Sequence, residues 1–204
     1  DIDDRYGILG YRARIGEWAA DLSQTYGYNR MRYTIAHTLN ASIANLDPKG
    51  ISPSQFDAGG FSFRQLTSNA DFSRFYDDIL GGLNAAFGFE YRKENYQIFA
   101  GEPGSYIDAD GVGVGGNAGS QGFPGFQPGD ATNRDRHSSA AYLDFEADIA
   151  PRTKLQAAVR HEHYSDFGST TTGKLAGAFK ATDDVLLRAS ASTGFRAPSL
   201  QQVY

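Results

Sequence analysis

The sequence predicts an all-β fold: an antiparallel transmembrane β-barrel segment of about eight long meander strands, forming a partial barrel or an open curved sheet. Apolar and polar residues alternate with period 2, most clearly over residues 139–198, which places them on opposite faces of strands. The alternating runs there are about 11 to 14 residues long, against about 5–6 for an ordinary strand. The connections between them are too short for the crossover helix that a parallel sheet needs.

The chemistry of the two strand faces indicates a membrane. On the strand that begins near residue 139, Leu143 and Phe145 share one face, and Asp144 and Glu146 share the other. Long strands that are aliphatic on one side and charged on the other fit a barrel with lipid outside and a wet lumen inside. The mean hydropathy of −0.46 agrees with this, because only every second residue of a barrel strand meets lipid.

Four strands are predicted in the first half of the chain and four in the second. The second four are joined by turns at Pro151, around 165–169 and at Asp183-Asp184. A tight turn is expected at 28–30, and the clearest strand is the last of the first four. The first four predicted strands are Tyr11–Tyr28, Met31–Leu46, Arg64–Asp77 and Leu83–Tyr96.

Two long connections separate these strands, at 47–63 and 97–137. The second is glycine-rich between residues 101 and 129 and is expected to be a flexible loop without a packed element of its own. Short turns near 29, 80, 151 and 183 alternate with the other connections along the chain. Because outer-membrane barrels have short periplasmic turns and longer extracellular loops, 47–63 and 97–137 are predicted to be extracellular.

Composition excludes several classes of function. The net charge of −5 argues against binding to a nucleic-acid backbone. The absence of cysteine excludes disulfides and thiolate metal sites. No run of apolar residues approaches the roughly 18 that a transmembrane helix needs. The 12 Tyr and 14 Phe suit the aromatic girdles of an outer-membrane barrel.

Several sequence segments resemble those of a known protein family. STGFRAPSL at Ser192–Leu200, the long hairpin before it, and LNAAFGFEYRKENY at Leu83–Tyr96 resemble the β-barrel of TonB-dependent outer-membrane receptors. The resemblance implies active uptake of a scarce ligand, such as a ferric siderophore, across the outer membrane of a Gram-negative bacterium. It implies as partners the outer-membrane lipid, a plug domain, the remaining barrel strands and the TonB complex.

Such plugged barrels use about 22 strands, so a chain with about eight is expected to be an internal piece of a receptor. Residues 1–204 show no signal-peptide pattern and no plug-domain pattern. One alternative stays open. Eight strands can also close a complete small outer-membrane barrel with a structural or adhesion role.

Tyr106, Phe123 and Phe126 in the long connection are the candidate ligand contacts, because aromatic rings supply contact area with few rotatable bonds. Charged residues of the predicted lumen face are expected to pair with one another or with a plug. That set is Glu90, Arg92, Glu94, Arg160, Glu162 and Arg188.

No residues with the spacing of a catalytic set are found, so the chain is predicted not to be an enzyme and to need no cofactor or metal. His161 and His163 could supply two metal ligands but lack a third. Asp108, Asp110 and Asn117 match no defined calcium loop. The run 111–116 spells GxGxxG without the strand and helix of a dinucleotide site.

Overall fold

Eight antiparallel strands form one sheet in this computed structural model, which describes residues 1–204. Each strand pairs with the next along the chain, and β1 does not pair with β8. The strands are β1 (Ile2–Ile15), β2 (Trp18–Ala36), β3 (Gln55–Tyr76), β4 (Leu83–Phe99), β5 (Thr132–Ala150), β6 (Thr153–Tyr164), β7 (Gly168–Lys180) and β8 (Leu186–Ser192). The predicted meander is therefore confirmed as an open sheet, and the alternative of a closed eight-stranded barrel is wrong for this chain.

Four short helices complete the fold. Two are α-helices, α1 (Ala41–Leu46) and α2 (Leu200–Val203), and two are 3₁₀ turns at Pro103–Ser105 and Pro128–Asp130. None of these helices has the length and apolar character to cross a membrane.

The two faces of the sheet differ in chemistry and in exposure. Cross-strand pairing aligns Leu143 with Phe87 on β4 and with Val159 on β6, which builds an apolar face. Large side chains on this face are exposed, with Leu143 at 47% and Leu175 at 66%. Only 21 of the 204 residues are buried, so the apolar residues do not form a core within this chain. An apolar face without a covering layer is what a lipid-facing barrel wall presents.

The opposite, polar face is better covered. On β5 the side chains of Arg136 and Ser138 are buried, whereas His137 between them, on the apolar face, is exposed. The same alternation of exposure runs along β4 and β6. This difference places the polar face on the inner side of the curved sheet, where a barrel has its lumen.

The first hairpin differs from the prediction. β1 and β2 are joined by Gly16 and Glu17, and 28–30 lies inside β2 rather than in a turn. Gly16 has φ +61°, which glycine adopts at the first central position of a tight hairpin turn without steric cost. Strand β1 has large apolar residues on both faces, so its residues show no clear period-2 pattern. The predicted strand Tyr11–Tyr28 was therefore wrong.

The predicted return strand Met31–Leu46 was also wrong. Strand β2 ends at Ala36, and the chain forms helix α1 after Asn40. The Asn40 side chain caps that helix by accepting hydrogen bonds from the backbone N–H groups of Ser42 and Ile43. His37, next to the end of β2, has φ +56° and ends the extended run.

Both long connections have other bounds than predicted. The first covers 37–54 instead of 47–63, because β3 begins at Gln55. The second covers 100–131 instead of 97–137, because β4 and β5 extend further in that direction. The short turns lie at 16–17, 77–82, 151–152 and 181–185. The alternation of short turns with other connections therefore holds once the first turn is moved to Gly16.

Candidate functional site: the lumen wall and its outer cap

An aromatic cluster forms where the second long connection crosses the polar face. The ring centroid of Phe123 lies 4.9 Å from that of Tyr33 and 5.9 Å from that of Phe126. Phe61 joins them to the sheet, at 6.3 Å from Tyr33 and 6.4 Å from Tyr96. We call these five residues the aromatic cluster. Spacings of 4.5–7 Å are those of interacting aromatic pairs.

The structure brings two of the three predicted contact residues together. Phe123 and Phe126 are half-buried members of the cluster, whereas Tyr106 lies outside it, directly after the first 3₁₀ turn. Tyr33, Phe61 and Tyr96 were missed as members. The sequence pattern could have placed Tyr96 on the polar face, because it lies two residues after Glu94 on β4. It could not have placed Tyr33 and Phe61 there, since their strands were misassigned.

The two long connections pack against each other in an outer cap, which we define as residues 37–54 and 100–131. Asn40 is fully buried there. Its side-chain nitrogen donates to the carbonyls of Gly104 at 2.9 Å and Ile107 at 3.0 Å. Its side-chain oxygen accepts from the Ser42 hydroxyl at 2.7 Å. One amide thus joins the helix after β2 to the glycine-rich connection more than 60 residues later.

Glycine permits this close packing. The Gly116 backbone approaches α1 so closely that a Cβ atom there would lie 2.6 Å from the Ser42 Cα. Ser42 in turn accepts from the Ala109 N–H at 2.9 Å. The Gln121 N–H donates to the Leu39 carbonyl at 3.0 Å, which adds a backbone bond between the two connections. The connection was expected to hold no packed element of its own. In the structure it packs against the first connection, because glycine leaves room there for the neighbouring backbone.

An acidic pair lies on the cap. Asp110 accepts hydrogen bonds from Asn45 at 2.7 Å and from the Gly116 N–H at 3.1 Å. A hydrogen bond with Asp110 raises the pKa of Asp108. Burial opposes ionisation of Asp110, but the bonds from Asn45 and its neighbours lower its pKa overall. Asn117, the third oxygen donor considered for calcium, uses its backbone carbonyl to bind the Ser42 N–H.

The run 111–116 contains no dinucleotide site. Gly111, Gly113 and Gly115 have positive φ values of +97°, +83° and +29°, and the run consists of turns. No helix begins directly after it. The helix N-terminus that would bind a pyrophosphate is therefore missing at this position.

An ion-pair network crosses the polar face over three strands. Glu90 on β4 pairs with Arg92 at 2.8 Å and with Arg160 on β6 at 3.3 Å. Glu162 pairs with Arg160 at 2.5 Å and accepts a hydrogen bond from the Tyr164 hydroxyl at 2.8 Å. The expected pairing of lumen charges is confirmed for these residues. Arg188, included in the expected set, has no ion-pair partner.

Arg136 anchors the end of the chain and was missed because it fell within the predicted loop. Its side chain is 2% exposed. The guanidinium donates to the Asp166 carboxylate at 2.8 Å and to the Pro198 carbonyl at 2.7 Å. Phe167 stacks on Tyr164 at 4.4 Å. Arg136 thus binds both the turn between β6 and β7 and the segment after β8.

His161 and His163 lie on the apolar face, toward the rim that carries the long connections. The Nδ1 atom of His161 lies 2.8 Å from the Thr171 hydroxyl, and that of His163 lies 2.9 Å from the Ser169 hydroxyl. Across residues 1–204, no three His, Asp or Glu side chains come together in a way that could hold a metal ion.

A solved structure shares this architecture. The ferric enterobactin receptor PfeA of Pseudomonas aeruginosa, as its G324V mutant, superposes with a TM-score of 0.70 at 14% sequence identity. The alignment covers 100% of this chain and 26% of the receptor, so the chain spans about a quarter of that receptor's length. At this identity the likeness shows the fold. No curated protein matches the sequence.

The family is shown by the sequence as a whole. Residues 1–204 match the family described as TonB dependent receptor-like, beta-barrel. This is a family of receptors and transporters and not of enzymes. The open meander, the polar inner face and the apolar outer face are the features that such a barrel wall requires. The chain therefore belongs to the family of TonB-dependent receptor β-barrels.

Proposed function

We propose that the chain is part of the wall and outer loops of a receptor that takes up a ferric siderophore across the outer membrane of a Gram-negative bacterium. The family match over the whole chain carries the proposal. In this scheme the remaining strands of the same protein complete the barrel, and a plug domain fills it. The TonB complex supplies energy through the plug. The chain contributes surface for the ligand and not the energised step.

The orientation follows from the connections. Outer-membrane barrels have their short turns in the periplasm and their longer loops outside the cell. The turns at 16–17, 77–82, 151–152 and 181–185 belong to the periplasmic rim in this proposal. The outer cap then faces the medium, where a ligand arrives.

The aromatic cluster is the proposed ligand surface within the cap. Phe123 and Phe126 come from the outer connection, while Tyr33 and Phe61 come from the wall. A ligand that enters between cap and wall would meet aromatic rings from both. The rings are large and lose little rotamer entropy on binding, which favours flat or aromatic ligand groups. Tyr106 is kept in the proposal as a contact at the edge of the cap.

Uptake measurements test this function. In the full-length receptor, we expect Tyr106→Ala, Phe123→Ala and Phe126→Ala combined to lower the uptake of radiolabelled ferric enterobactin at least tenfold. The neighbouring structure is a ferric enterobactin receptor, which makes this ligand the first probe. Phe145→Ala, on the apolar face, is the matched control and should leave uptake unchanged at equal surface expression. Unchanged uptake in the triple variant would refute the ligand surface.

A further inference from the structure

The segment after β8 folds back across the polar face of the sheet. We define the strap as residues 194–204, which include helix α2. Near the start of the strap, the Phe195 ring lies 6.1 Å from the Tyr164 ring at the end of β6. At its end, the Arg134 guanidinium on β5 lies 4.7 Å from the centre of the Tyr204 ring. The strap therefore runs from β8 back to β5.

Few contacts attach the strap to the sheet. Its backbone forms one hydrogen bond to a strand residue, in which the Pro198 carbonyl accepts from the Arg136 guanidinium at 2.7 Å. Leu200 is 1% exposed and is the one fully buried side chain of the strap. The other strap residues are half-buried or exposed. The position of the strap thus depends on one buried cation, one buried leucine and the ring contacts at its two ends.

Arg136 is itself held in place from two other sides. Its Nε atom donates to the Asp166 carboxylate at 2.8 Å, and the Glu94 carboxylate on β4 lies 3.9 Å from its Nη1 atom. The guanidinium also lies 5.4 Å from the centre of the Phe167 ring. Charge-assisted hydrogen bonds of this kind fix the planar guanidinium in direction as well as in position. The donor that binds Pro198 is therefore fixed before the strap is considered.

The end of the strap lies beside the aromatic cluster. Arg134, which contacts the Tyr204 ring, lies directly opposite Tyr96 of the cluster across β5 and β4. Side chains paired in this way have Cβ atoms about 4.5–5.5 Å apart. Tyr96 is 4% exposed, whereas Tyr204 is 48% exposed. The strap thus adds an accessible aromatic ring at the edge of the cluster where the ring from the sheet is buried.

We propose that Arg136 is a positioning residue for the ligand surface: by holding the strap at Pro198, it places Tyr204 beside the aromatic cluster as a further ligand contact. This inference rests on the proposed function, which makes the aromatic cluster the ligand surface. Arg136 does not touch the ligand, because its side chain is buried. Its effect on ligand binding passes through Tyr204.

The first measurement locates Tyr204 without a ligand. Hydroxyl-radical footprinting of the full-length receptor in detergent reports how accessible the Tyr204 ring is. Arg136→Met should raise the oxidation of Tyr204 about twofold, because a ring that is 48% exposed becomes fully exposed when the strap leaves Arg134. Leu200→Ala releases the strap with Arg136 intact and should have the same effect, so the test does not depend on the folding of one variant. Gln201→Ala, an exposed residue of α2, is the matched control and should change nothing.

The second measurement is the equilibrium affinity of the folded receptor for radiolabelled ferric enterobactin. Tyr204→Ala should weaken binding about tenfold, as expected for the loss of one aromatic contact. Arg136→Met and Leu200→Ala should weaken it by a similar factor. Combining either change with Tyr204→Ala should add no further loss, because each removes the same contact. Tyr204→Phe keeps the ring and should bind as the wild type does.

Three results would overturn the proposal: unchanged Tyr204 oxidation in both strap variants, wild-type affinity in Tyr204→Ala, or losses that multiply in the combined variants. Failure of the proposed function gives a different result. A wild-type receptor that binds no ferric enterobactin, while both strap variants raise Tyr204 oxidation, would refute the proposed function and support the placement of Tyr204 by Arg136.

Discussion

The sheet and the outer cap differ in which side chains they expose and which they bury. In the sheet, large aliphatic residues such as Leu175 are exposed, and the strands have no second layer. In the cap, the fully buried side chains include Asn40, Ser42, Ser105 and Ser120. Large apolar side chains are thus exposed on the sheet, and polar side chains are buried in the cap. This reverses the usual arrangement of a water-soluble domain.

The two environments explain the difference. The apolar face is stable where lipid replaces water, so it needs no internal covering. The cap lies beyond the strands, where its backbone must satisfy its own hydrogen bonds. It does so with buried amide and hydroxyl groups such as Asn40 and Ser42, each of which has its partners. The stability of the sheet therefore depends on the lipid around it, and the stability of the cap depends on its own hydrogen bonds.

The largest expected effect comes from Arg136, the buried cation of the sheet that binds the segment after β8. Arg136→Met leaves the Asp166 carboxylate without its partner and frees the Pro198 carbonyl, because the guanidinium binds both. Breaking a buried pair costs about 3–5 kcal/mol. Denaturant unfolding of the full-length receptor in detergent measures the loss, and faster hydrogen exchange in 194–204 locates it. Arg196→Ala, an exposed residue of the same segment, should change stability by less than about 0.5 kcal/mol. Equal effects would show that Arg136 holds nothing in place.

An arginine introduced on either face of β6 tests which face of the sheet meets lipid. Val159→Arg puts a cation on the apolar face near the middle of β6 and should cost about 2–4 kcal/mol in a bilayer. Ala158→Arg puts the same side chain on the polar face, opposite Asp144, and should cost less than about 1 kcal/mol. Refolding equilibria in lipid vesicles compare the two variants. Similar costs would contradict the difference between the two faces, and a reversed order of costs would mean that the faces have been exchanged.

A smaller, local effect is expected in the cap. Asn40→Ala removes the amide that binds the Gly104 and Ile107 carbonyls and should cost about 1–3 kcal/mol. Because the strands do not depend on it, we expect faster hydrogen exchange in 100–131 with unchanged exchange in β4 and β5. Asn45→Ala, which removes an exposed bond to Asp110, is the control and should have little effect. Equally faster hydrogen exchange in the strands would contradict the expectation that the sheet does not depend on the cap.

Sequence reasoning predicted the strands well where one face alone carries the apolar residues. Strand β4 and the four strands after residue 131 were found near their observed positions for that reason. Strand β1 was missed because Ile8 and Leu9 are adjacent, so both faces contain large apolar residues. Without β1, the turn at Gly16 and the end of β2 could not be placed correctly.

The candidate site was predicted in part for a related reason. Phe123 and Phe126 were chosen by their position in the long connection, and the structure brings them together. Their partner Tyr33 belongs to a strand about 90 residues earlier, and no local pattern encodes that contact. The same holds for Asn40, whose partners are more than 60 residues away. Composition indicated a flexible segment, because abundant glycine looks the same in a mobile loop and in a closely packed one.

The shared interior of the outer cap also limits how this protein can diverge. Loops usually vary faster than strands, because a change there disturbs few contacts. Here a change at Asn40 disturbs the carbonyls at 104 and 107, and a side chain at Gly116 would collide with Ser42. Among relatives of this chain we expect Asn40, Ser42 and Gly116 to change together. Exposed cap residues such as Val112 should vary independently. Insertions should accumulate at 111–115 and be rare at 40–42.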